Sequence, residues 1–177
     1  MVIPLPDEDN ALLSTDEGGK GGLREQTLLD HLPGATVLHL ACHGIQDPER
    51  PLNSGFVMRD GTLTMERLMP VVVPEAFLAF LSACETAKGY KDQPDQAIHL
   101  AAMMLYAGFK SVIATLWSME DVDGPMVAGL VYGELFRDDS EMLDPDDVPY
   151  ALDAAVQKLR EAHPEPSRWA VYVHLGM

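Results

Sequence analysis

A chain of 177 residues with 47% hydrophobic content is long enough for one domain with its own core, and its formal charge of −16 excludes the basic surface that nucleic-acid backbones and anionic membranes require. Two cysteines, Cys42 and Cys84, make no disulfide framework, and the longest apolar run, 71–81, is broken by Pro74 and Glu75 and too short to span a bilayer. Met1 to Asn10 has no basic residue and no long apolar run, so no signal peptide is expected. The setting expected is reducing and cytoplasmic, with a basic protein or peptide as the natural counterpart and no nucleic-acid or membrane partner.

Residues 1–22, with Pro4, Pro6 and then Gly18-Gly19-Lys20-Gly21-Gly22, read as a flexible N-terminal segment. An amphipathic helix is predicted over 23–32, stopped by Pro33-Gly34, and a first strand over 37–42 is apolar on both faces, as in a buried parallel sheet. A hairpin is expected across Arg59-Asp60-Gly61, followed by a short helix that Thr64 would cap and Pro70 would close. A second buried strand, 77–82, leads into a polar loop, 83–94, which is expected to be mobile.

Asp95 opens a helix over 96–107 whose inner face is expected to carry Ile98, Ala101, Ala102 and Leu105, with Gly108 as its stop. A third buried strand, 111–116, and a helix over 122–137 follow. An acidic loop between Asp138 and Asp147, a helix over 149–162 and a last strand over 169–175 complete the chain. Alternating strands and helices with at least four buried strands predict an α/β fold, a three-layer α/β/α sandwich on a mostly parallel sheet. That sheet opens directly on the histidine strand, leaving an edge for a partner or a second copy of the chain to cover.

The chemistry concentrates where two of these strands end, at Leu38-His39-Leu40-Ala41-Cys42-His43-Gly44 and at Leu78-Ala79-Phe80-Leu81-Ser82-Ala83-Cys84. The carboxyl ends of parallel strands border the crevice where α/β proteins place their sites. If the strands are neighbours, His43 stands beside Cys84, a base beside a nucleophile that is weak until its thiolate is stabilised. Gly44 has no side chain to block approach, so its backbone N–H and that of Cys84 are the candidate donors to an oxyanion.

Each residue also has a plainer role, since a cysteine or a histidine ending an apolar strand is commonly a packed core group; their joint occurrence at two strand ends favours chemistry. Cys42 alternates away from His43 and reads as core, and His39 as a buried, hydrogen-bonded group. No spacing supports a metal site built from His39, His43 and Cys84, and neither a G-x-S-x-G elbow nor a glycine-rich phosphate loop is present, so no metal or cofactor is expected.

The stretches LHLACHG (38–44), LAFLSACETA (78–87), DQAIHLAAMMLYAGF (95–109), KSVIATLWSMEDVDGP (110–125) and RWAVYVHLG (168–176) together resemble the CHAT domain, a caspase-like and separase-like family often found after tetratricopeptide repeats, in wording most like its fungal members. The resemblance spans 23–177 and implies a caspase-type sheet and a Cys-His cysteine peptidase, with His43 as the histidine and Cys84 as the nucleophile. It also implies that Asp121 lines the pocket for a basic residue before the scissile bond, against an alternative role as a helix N-cap. The family's usual first strands are not found before the histidine strand, so a shortened domain is expected. Two functions follow: a cysteine endopeptidase acting on a protein substrate, or a non-catalytic signalling and scaffolding module that a regulatory repeat-domain partner activates or completes.

Overall fold

Three segments without a polar face, Val37 to Leu40, Leu78 to Leu81 and Ser111 to Thr115, lie side by side as parallel strands and build the centre of the molecule. The structure, a computed structural model, describes residues 23–45, 47, 49–82, 84, 85, 95–137 and 143–176, without the side chains of 84, 85 and 95–97. The segment 1–22, most of the loop 83–94 and residues 138–142 of the acidic loop lie outside the described residues.

In chain order the elements are α1 (Glu25–His31), β1 (Val37–Leu40), β2 (His43–Ile45), β3 (Gly55–Met58), β4 (Gly61–Thr64), α2 (Met65–Leu68), β5 (Leu78–Leu81), β6 (Cys84–Glu85), α3 (Asp95–Ala107), β7 (Ser111–Thr115), α4 (Asp123–Leu135), α5 (Asp147–Ala162), α6 (Pro166–Trp169) and β8 (Tyr172–Gly176). The main sheet has the order β1-β5-β7-β8, with β8 antiparallel to β7. A second sheet, β4-β3-β2-β6, joins the expected hairpin to a parallel pair, β2 and β6.

The expected first strand, 37–42, is therefore two pieces. Strands β1 and β5 each pause after the register pair Leu40↔Leu81 and resume as β2 and β6, and the N–H of Ser82 donates to the carbonyl of Leu40 at 2.9 Å across the pause.

Side chains from the two faces of the main sheet enter two separate cores, which makes the fold an α/β sandwich of three layers. On one face Leu40, Leu81 and Val112 pack with Ala101 and Met104 of α3 and with Leu28 of α1. On the other, Leu78, Phe80 and Ile113 pack with Val127 and Val131 of α4 and with α5. The buried positions of α5, Val148, Ala151, Leu152, Ala155 and Leu159, recur at helical spacing and form one apolar stripe.

Local departures from the predicted elements have local causes. The buried face of α3 is Leu100, Ala101, Met104 and Ala107, whereas Ile98 and Ala102 are exposed; nearly every residue from 98 to 107 is apolar, so periodicity does not select a face. Thr64 does stand before α2 in extended conformation but its side chain makes no capping bond, and the N–H of Met65 is held instead by the carbonyl of Ser54 at 2.8 Å. Pro166 starts a helical turn, so Trp169 belongs to α6 and the last strand begins at Tyr172. Helix α5 starts at Asp147, ahead of Pro149, whose missing N–H costs nothing in a first turn.

Candidate active site

Because β1, β5 and β7 run parallel, their carboxyl ends share one edge of the sheet, and the continuations β2 and β6 extend that edge. His43 begins β2 and Cys84 begins β6, and the two are register partners, Cα opposite Cα on adjacent parallel strands. Such strands run about 4.8 Å apart. Gly44 follows between Phe56 of β3 and Glu85 of β6, buried, with its backbone flanked on both sides. The ring of His43 is half-buried.

A layer of polar and aromatic groups lies one step deeper along the same two strands. His39 and Phe80 are register partners with ring centroids 4.9 Å apart, and a ring nitrogen of His39 is 3.3 Å from the hydroxyl of Ser82. From α4, Tyr132 approaches the His39 ring edge-on at 5.8 Å. Burial, which penalises the charged imidazolium, pulls His39 down to about 4, so it is neutral at physiological pH. The hydroxyl of Tyr132 is buried without a hydrogen-bond partner among the described residues, and burial pushes its titration well above the usual range. Cys42, read from the sequence as core, packs with Leu38 and Leu40, and burial pushes its thiol up to about 12.

The third strand end carries the loop 116–122, between β7 and α4. Asp121 sits there, exposed, beside an exposed Glu120. The N-cap of α4 is Val122, so the capping role weighed for Asp121 is not the one it fills. A second acid that the sequence did not single out, Asp123, is 1% exposed in the first turn of α4 and accepts two hydrogen bonds from Arg168, at 2.5 and 2.6 Å. No spacing in the sequence signals that pairing. Among the described residues there is no cluster of His, Cys, Asp and Glu fit for a metal ion, and no helix long and apolar enough to cross a membrane.

The family model for the CHAT domain matches residues 10–177 of this chain. The chain belongs to the CHAT domain family. The match covers every element described above and begins within residues 1–22, expected from the sequence to be a flexible N-terminal segment. As a CHAT domain, the chain is a peptidase-type module of a caspase-like family. No curated relative matches it.

Proposed function

We propose that this CHAT domain is a cysteine endopeptidase with Cys84 as nucleophile and His43 as general acid and base. The observation that carries the reading is the register of β2 on β6, which makes the two residues direct neighbours at the carboxyl edge of the sheet. The Cys84 thiolate attacks the scissile carbonyl, forming a C–S bond and an oxyanion held by the backbone N–H groups of Gly44 and Cys84. His43 then gives its proton to the leaving amine as the C–N bond breaks. In the second half His43 takes a proton from water, the resulting hydroxide opens the thioester, and the acid product leaves with the thiolate restored.

Asp121, with Glu120 beside it on the neighbouring loop, is the proposed acidic lining for a basic side chain before the cleaved bond, in keeping with the chain's charge of −16. A second reading, a module completed by a regulatory repeat-domain partner or a second copy, draws on the position of β1 at the end of the main sheet, with a described strand neighbour on one side only.

The rate of Cys84 alkylation by iodoacetamide as a function of pH separates the two. A working pair gives a rate that levels off well below the ordinary thiol range of about 8.5 and loses that plateau in His43→Ala. Reactivity that climbs along an unperturbed thiol curve in both proteins contradicts it.

A further inference from the structure

The loop 116–122 and the first residue of α4, Asp123, are tied at four points to the segment that precedes and opens β8. The N–H of Leu116 donates to the carbonyl of Val171 at 2.9 Å, and the indole N–H of Trp117 donates to the carbonyl of Ser167 at 3.2 Å. The hydroxyl of Tyr172 meets the sulfur of Met119 at 3.5 Å. The fourth tie is the fork of Arg168 on Asp123, Nε to one carboxylate oxygen and Nη2 to the other. It differs in kind from the rest, because Asp123 is fully buried while the Arg168 side chain is 22% exposed. A buried carboxylate is stable only with a compensating charge, and two parallel bonds fix direction as well as distance. Beside it Gly124 leaves room for Met119: a Cβ at Gly124 would stand 2.5 Å from the Met119 methyl.

We propose that Arg168, acting through Asp123, is a positioning residue that sets the conformation of the loop bearing Glu120 and Asp121, and thereby the side-chain preference at the carboxyl edge of the sheet. The substrate part of this rests on the peptidase reading above; the loop part does not. Asp123 holds the partly exposed guanidinium by direct hydrogen bonds, whereas Glu120, whose charge also acts on Arg168, and Asp121 stay exposed. A lysine at 168 keeps the charge but offers a single point of attachment instead of a planar fork.

Two measurements on the full chain and on Arg168→Lys test this. Hydrogen exchange of the 116–122 amides is expected to quicken at least about tenfold in the variant while the amides of β5 and α5 keep their protection. Peptidyl electrophiles carrying Arg or Leu are expected to lose about tenfold or more in Arg-over-Leu preference, with the rate of Cys84 alkylation by iodoacetamide unchanged. Unchanged exchange in 116–122 overturns the proposal, as does loosened exchange with an intact preference. If the parent chain reacts with no electrophile, the peptidase reading fails by itself, and the exchange result still decides whether Arg168 holds the loop.

Discussion

Cys42 lies in the core under β1, where its thiolate is strongly disfavoured, so alkylation at pH 8 should leave it unmodified in the folded chain and modify it in denaturant, as peptide mapping would read. Labelling of Cys42 in the native protein would contradict that packing. His39 carries a pH dependence of its own. Its folded value, about 4, lies below the ordinary 6.5, so between those values the unfolded chain binds a proton that the folded chain excludes. The stability linked to His39 is therefore fully present above pH 6.5 and is lost as the pH falls toward 4, by up to on the order of 3 kcal/mol. His39→Phe should flatten that part of the denaturant-midpoint curve against pH, and an unchanged slope would assign it to other groups. Cys42 was legible as buried from strand alternation, and His39, which the structure leaves half-buried, from lying a strand repeat deeper than His43 on the same face; the ring of Tyr132 above His39 was not, because it comes from a helix 93 residues along the chain.

The elements themselves were readable where one local rule dominates. Gly108 follows α3 with φ of 118°, the left-handed region that suits glycine, and a Cβ there would stand 2.8 Å from the carbonyl oxygen of Val73. Gly108→Ala should destabilise the chain by at least about 1–2 kcal/mol in denaturant titration, and a neutral result would show that the connection after α3 can rearrange. The buried strands and the hairpin at Arg59-Asp60 were equally plain, since runs of apolar residues and turn residues are local signals. What escaped is decided between elements: which side of an all-apolar α3 turns inward, why β1 pauses before His43, and the reach of Arg168 to Asp123. Each depends on a partner far away in sequence, and no spacing encodes it.

At the scale of the whole molecule, topology converts distant sequence into one edge. Parallel crossovers bring the ends of β1, β5 and β7 into a row, so residues 43 and 84 become register partners and the loop 116–122 leaves the next strand end, although none of these is close in sequence. That row is why the adjacency of residues 43 and 84 could be anticipated from two similar strand endings, whereas the sorting of neighbouring acids into a buried one, Asp123, paired with Arg168 of α6, and exposed ones, Glu120 and Asp121, could not. The most direct test of the account is covalent labelling of the folded chain with peptidyl electrophiles bearing Arg, Lys, Asp or Leu next to the reactive carbon, alongside Cys84→Ala, His43→Ala and Asp121→Asn. The expected result is labelling confined to Cys84, dependent on His43, and selective for Arg or Lys by a margin that shrinks in Asp121→Asn. A folded chain that no probe labels, or labelling of Cys84 that is indifferent to His43, would contradict it.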